Sequence, residues 1–149
     1  MPTPFMIRSH PPRPAALALL ETEGLPVADL ANADLEHFFF GGSDGSPTGL
    51  VGLEIYGVTA LLRSLVVCES ERRKGLAVAL VQHAEVYATA KGIKDIYLLT
   101  TTAETFFRRL GYRHIDRAKA PSSIRGTPEF ASLCPASSAF MTKSLYPNG

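Results

Sequence analysis

The chain has no tryptophan, only two cysteines and no apolar run approaching the about 18 residues that a membrane-crossing helix requires. Cys68 and Cys134 lie far apart, and neither has a second cysteine at C-x-x-C spacing, so both thiols are expected to be reduced and no metal is expected. The N-terminus lacks the basic-then-apolar order of a signal peptide, which makes a cytoplasmic protein without membrane attachment the expectation. An excess of charge of either sign is missing too. Fifteen Lys and Arg against fourteen Asp and Glu give a formal net charge of +1. No global field favours nucleic acid or anionic lipid, so any anion recognition has to be local.

What is present is an ordinary globular composition, 46% hydrophobic and 19% charged over 149 residues, enough for one domain with a substantial core. Five prolines between Pro2 and Pro14 mark residues 1–14 as a leader expected to be partly disordered, although "FMIRS" reads as a short first strand. The single domain is expected over 15–146. "AALALLETEGL" reads as a helix from Ala15 stopped by Gly24, and the stretch after it as a short helix running into the aromatic strand "HFFF". "GGSDGSPTG" (41–49) is a turn-rich connection. The runs 49–57 and 59–67 form a hairpin about Gly57 and Val58. Leu61, Arg63, Leu65 and Val67 are expected to share one face of the second strand. Leu76, Leu80, Ala84 and Tyr87 then repeat with helical spacing up to Gly92. A strand follows at 94–101, then a helix capped by Thr102 and ended by Gly111. The tail carries an ordered loop or short helix around Thr127 to Leu133 and a closing strand "SAFMTKSL". Strand, helix, strand, helix implies a right-handed parallel crossover on a mixed sheet, and the fold class is α/β or α+β with helices flanking a central, mostly antiparallel sheet.

One stretch carries local positive charge. "ESERRKGLAVAL" (69–80) sets Arg72, Arg73 and Lys74 before Gly75 and an amphipathic helix. Amides of a helix's first turn have no intrahelical partner, and the macrodipole adds partial positive charge there. A phosphate satisfies both if the backbone is open, as Gly75 and Ala77 permit. The alternative is a solvated strand-to-helix turn, since this is not a G-x-x-x-x-G-K-[ST] loop.

"RRKGLA" resembles the R/Q-x-x-G-x-G/A signature of the GNAT superfamily of acetyl-CoA-dependent acetyltransferases. The flanks agree: "LLRSLVV" before it, "LVQHAEVYATAKG" and "IYLLTT" after it, and "AETFFRRLGY" with its terminal Gly-aromatic pair, so the resemblance covers about residues 50–115. More narrowly, "YLLTTTAETFFRRLGY" and the tail are similar to small acetyltransferases associated with arsenic-resistance operons and, more distantly, to the acetyltransferase domain of acetylglutamate synthases. The resemblance implies a GNAT-like sheet with splayed central strands and an acetyl-CoA cosubstrate. It implies a pyrophosphate held by Arg72, Arg73, Lys74, Gly75, Leu76 and Ala77, with the pantetheine arm paired to backbone at Leu65, Val66 and Val67. It also implies a free amino acid or analogue as amine acceptor, and it permits a homodimer.

Acetyl transfer to an amine needs a proton acceptor, a polarised thioester and a proton for the leaving thiolate. Glu54, the lone acid on an apolar central strand, is the candidate base; a salt-bridged strand residue is the other reading. Arg63 is expected either to receive a substrate carboxylate in bidentate geometry or to pair internally with Glu54 or Glu104. Thr100 and Thr101 are candidate acceptor contacts. Many GNAT members place a tyrosine acid where this chain has Phe107, which cannot donate a proton, leaving Tyr112, Tyr97, Thr101 or solvent for that role. This departure keeps a non-catalytic acyl-CoA sensor open as a second class of function. A protein or peptide acetyltransferase is a third, although no acidic run suits a basic tail. Arg117 to Arg125 is read as either a lid over the acceptor or an ordinary packed loop.

Overall fold

The computed structural model describes residues 5–25, 27–30, 34–133 and 137–145. Seven strands form one sheet in the order β1-β2-β3-β4-β5-β7-β6. They are β1 (Ile7–Ser9), β2 (Phe38–Ser43), β3 (Ser46–Tyr56), β4 (Thr59–Val67), β5 (Asp95–Thr100), β6 (Arg113–His114) and β7 (Ala139–Ser144). The helices are α1 (Arg13–Thr22), α2 (Leu76–Ala90), α3 (Glu104–Arg109), α4 (Ser122–Arg125) and a π-helical turn, α5 (Glu129–Leu133). β4 and β5 pair in parallel across the α2 crossover, while β1/β2, β2/β3, β5/β7 and β6/β7 are antiparallel. This is the mixed, mostly antiparallel α/β sheet that the pattern predicts.

The chain folds as two compact units, one from Met1–Leu53 with Ser64–Val86 and the other from Glu54–Arg63 with Tyr87–Gly149. The first has its own core of Ala16, Leu20, Leu30, Leu35, Phe38, Phe40, Leu50 and Val66. Gly52 packs flat beneath Phe38, whose ring carbons would lie 2.4 Å from an added Cβ. Gly52→Ala is therefore expected to cost about 1–3 kcal/mol through overpacking, read as a lowered Tm with the secondary structure retained. The second unit's core is Leu61, Tyr97, Ala120, Ile124 and Phe140, with Tyr97 stacked on Phe140.

Several boundaries depart from expectation for identifiable reasons. Residues 7–9, within the stretch read as a leader, pair with β2, and α1 begins at Arg13 because a proline in the first turn needs no amide partner. The connection read over 41–49 shrinks to Asp44 and Gly45, since β2 runs to Ser43 and β3 starts at Ser46. Thr102 is not the cap of α3: Ala103 holds that position, and its amide donates 3.0 Å to the Thr100 hydroxyl at the end of β5. Strict alternation along β4 is interrupted at Ser64, whose φ of 60° breaks the extended backbone, and Leu61 to Ser64 are all buried. The Gly57–Val58 turn, the α2 stripe and the Gly92 and Gly111 stops, both at positive φ, match the expectation. Residues 1–4, Cys134 and residue 146, to which expectations were attached, lie outside the described residues.

Candidate active site

In the first unit β4 turns into α2 through Cys68 to Gly75. A short 3-10 turn, Glu69–Glu71, is followed by Arg73 at φ 66° and Gly75 at φ 92°. The first helical bond is donated by Ala79 to the Gly75 carbonyl at 3.0 Å. The amides from Gly75 to Val78 therefore have no carbonyl four residues back, and they open a helix of 15 residues. An added Cβ at Gly75 would meet only Phe5, at 3.7 Å, so the backbone surface there is open. Leu76 contributes its amide alone, because its side chain is buried against Gly49 and Gly41.

Arg72 has a different place from the one the motif suggests. Its Nε donates 3.0 Å to the Val67 carbonyl, its Nη2 ion-pairs Glu23, and its own amide donates 3.3 Å to the Glu69 carbonyl. These bonds brace the turn, although the residue itself is exposed. The Nε bond occupies the Val67 carbonyl, part of the backbone at Leu65 to Val67 that the resemblance pairs with pantetheine. Leu65 is half-buried, while Val66 and Val67 are buried. Arg73 and Lys74 are exposed, with Lys74 3.6 Å from Glu71, and Ala77 is half-buried on the helix. The turn thus offers backbone amides, with two exposed cations beside them.

The second unit brings Glu54 and Arg63 together from the two strands of the hairpin. Arg63 Nη1 donates 2.6 Å to Glu54 Oε2, and the Tyr56 hydroxyl donates to Glu54 Oε1. Arg63 Nη1 also ion-pairs Glu129 Oε2, from α5. The Arg63 side chain is 4% exposed, Glu129 4% and Glu54 20%, so only Glu54 reaches solvent appreciably. Desolvating a lone guanidinium costs several kcal/mol, which explains why a buried arginine on this sheet carries two carboxyl partners. Of the two readings of Arg63, the internal pair is the one observed. Its second partner is Glu129 rather than Glu104, which lies 2.6 Å from His114 Nε2 and 2.8 Å from Arg108.

The two carboxyls differ in proton affinity. Burial pushes Glu129 up to about 8, reinforced by its hydrogen bond with Glu54 and opposed by Arg63. Burial also acts to raise Glu54, but hydrogen bonds with Glu129, Tyr56 and Arg63 together outweigh it and hold Glu54 below its ordinary value. Burial and the Glu54 carboxylate keep the Tyr56 phenol protonated, as a firm donor. Neither Glu129 nor Tyr56 is singled out by sequence reasoning. Tyr56 lies two residues from Glu54 in the same strand, where alternate residues share a face, a legible signal, whereas Glu129 has only its isolation in "TPEFASL".

The remaining candidates fall elsewhere. Thr100 is half-buried and spends its hydroxyl on Ala103, and Thr101 is exposed. Phe107 is buried between Phe106 and Tyr112 in edge-to-face contacts, so it is core. Tyr112 and Tyr97 are buried as well, and burial raises Tyr97 further from the range of a proton donor to a thiolate. In the 117–125 segment, Arg117 donates 2.9 Å to the Ser138 carbonyl and Arg125 Nε 3.1 Å to the Ala120 carbonyl, which holds the segment to its own unit.

Residues 6–112 match the model of the acetyltransferase (GNAT) family. An uncharacterised N-acetyltransferase of Chlorobaculum tepidum is 32% identical over 106 residues, covering 68% of each chain. Among solved structures, N-acetylglutamate synthase from Neisseria gonorrhoeae, complexed with coenzyme A and N-acetyl-glutamate, superposes with a TM-score of 0.79 at 20% identity over 95% of this chain. This chain spans only 35% of that synthase's length. Rv2747 from Mycobacterium tuberculosis, in complex with CoA and NLQ, gives 0.76 at 18% identity over 95% of this chain and 99% of its own. The family match spans the bracing arginine, the left-handed turn and the whole of α2, and with it the chain belongs to the GNAT family of acetyltransferases.

Proposed function

We propose that this N-acetyltransferase binds acetyl-CoA through the amides of Gly75 to Ala77, and moves the acetyl group to the amine of a small amino-acid-like acceptor. The observation that carries the cofactor assignment is the turn in which Arg73 and Gly75 both take positive φ immediately before α2. Successive amides in such a turn converge on an anion, and the helix dipole adds to them. Arg73 and Lys74, exposed beside the turn, supply screened attraction to the nucleotide phosphates.

In this reading Glu54 takes the proton released when the amine nitrogen attacks the thioester carbon and the carbon–sulfur bond breaks, either directly or through one water. Solvent returns a proton to the thiolate, because Phe107 has none to give. A carboxylate held below its ordinary pKa is a weak base toward an ammonium. The rate is therefore governed by the fraction of amine already neutral, with Glu54 orienting that amine and accepting its second proton as attack proceeds. An amino-acid acceptor is supported by the N-acetyl-glutamate bound in the Neisseria synthase and by the resemblance of the "LLTTTAETFF" segment. Resistance to a toxic amino-acid analogue, arsenical ones included, is the physiological role most in keeping with it.

Thiol release from acetyl-CoA, followed colorimetrically, tests the reading across amino acids, phosphinic and arsenical amino-acid analogues, polyamines and basic peptides. Turnover is expected with one or more amino-acid-like amines. Turnover on basic peptides alone would place the acceptor in the peptide class, and acetyl-CoA binding without turnover on any amine would point to a sensor.

A further inference from the structure

We propose that Glu129 is a positioning residue for Glu54: the two carboxyls share one proton opposite the single guanidinium of Arg63, and this buried unit keeps the Glu54 carboxylate ionised and fixed in place. An oxygen of Glu54 and one of Glu129 lie within 4.8 Å of each other, and the same Arg63 nitrogen contacts both side chains. Within this unit, two carboxylates and one guanidinium, all ionised, leave an uncompensated negative charge in a nearly dry place. A single proton removes it. Tyr56, which donates to Glu54, is a neutral donor and contributes no positive charge.

Geometry assigns the proton to Glu129. Glu54 is stabilised as an anion by two donors, Tyr56 and Arg63, and it is partly open to water. Glu129 is almost fully buried, its Oε2 faces Arg63, and its Oε1 has no hydrogen-bond partner among the described residues. The neutral acid is the form that such a site tolerates, and the upward displacement of its pKa agrees. The local fold holds the carboxyl where it is. Thr127 Oγ1 donates 2.7 Å to the Ile124 carbonyl and accepts from the Phe130 amide at 3.3 Å, and the Ala131 amide donates 3.0 Å to the Thr127 carbonyl. The turn that presents Glu129 is therefore pinned on both sides of it. Without Glu129, Arg63 keeps one partner, but the second constraint on the guanidinium, and through it on Glu54, is gone.

Infrared difference spectroscopy of the full chain at neutral pH, in H2O and D2O, reads the shared proton directly. Wild type is expected to show the C=O band of a protonated buried carboxyl, and both Glu129→Gln and Glu54→Gln are expected to lose it, because one carboxylate facing Arg63 needs no proton. A band that persists in Glu54→Gln means that Glu129 is protonated by burial alone, and this overturns the sharing; so does its absence from wild type. If Glu129→Gln does not fold, the Glu54→Gln spectrum decides by itself. The positioning role rests on the reading of Glu54 as base. It predicts that Glu129→Gln lowers kcat about tenfold with KM for acetyl-CoA unchanged, the signature of a misdirected base. A lowered Tm with unaltered kcat would reduce Glu129 to a structural residue and sink the positioning role. The two readings fail separately: if Glu54→Gln loses the band yet turns over like wild type, the base assignment falls while the shared proton stands.

Discussion

Gly75→Glu is expected to raise the Kd for acetyl-CoA by roughly 100-fold or more, measured by isothermal titration calorimetry, with the fold retained. Two effects act together. At φ 92° a residue with a side chain is strained, which costs about 1–3 kcal/mol unless the turn rearranges, and rearrangement disperses the amides that converge on the anion. The introduced carboxylate also stands where the phosphates are to be received. Gly75→Ala separates these contributions. Its methyl would meet only Phe5, at an ordinary 3.7 Å, so the alanine variant carries the strain without the charge and is expected to bind more weakly than wild type but well ahead of the glutamate. Wild-type affinity in Gly75→Glu would move the cofactor away from this turn altogether.

Glu54→Gln is expected to lower kcat by about 10²- to 10³-fold, with the affinity for acetyl-CoA unaltered. Glutamine keeps the shape, but its one oxygen can accept from only one of Tyr56 and Arg63, which bond to different oxygens of Glu54, so the loss reports the charge and the basicity together with one lost hydrogen bond. The pH profile sharpens the prediction. Glu54 is held below the ordinary carboxylate range, so its deprotonation lies on the far acid side, and in wild type kcat/KM climbs with pH as the acceptor's ammonium loses its proton on the alkaline side. In the variant the same climb is expected at a lower level throughout. An unchanged kcat across that range would remove Glu54 from the proton path.

Much of this arrangement is written in short-range pattern. A glycine and one further residue between two apolar runs mark the hairpin, and the helical spacing from Leu76 to Tyr87 with Gly92 beyond it marks α2, because turns and amphipathic helices are decided by neighbours a few positions away. Arg63 is legible as an oddity for the same reason: a guanidinium in an apolar strand needs a partner. Which partner it takes is not legible. Glu104 and Glu129 both lie far along the chain from Arg63, and the choice is made when α5 folds back onto the hairpin, a tertiary event with no periodic trace. Ser64 illustrates the other limit. Nothing about serine announces a left-handed backbone inside a strand, yet that one dihedral breaks the alternation on which the expected faces of β4 depended. The bracing of Arg72 is hidden likewise, since the motif that reveals a basic residue before Gly75 does not say that its guanidinium points back to Val67 and Glu23.

The sheet order β5-β7-β6 sets a schedule for biosynthesis. β7 lies between two strands made before it, pairing with all six residues of β5 and with both of β6. While the ribosome is still translating the segment before Ala139, β5 presents an open edge and β6 lacks its partner strand, so the second unit's sheet closes only after β7 has been released. Such late, long-range pairing slows folding and leaves β-rich edges exposed in the meantime. Nascent chains stalled short of β7 are therefore the form of this protein that most needs a chaperone, and a stop codon before Ala139 removes an interior strand rather than a dispensable tail.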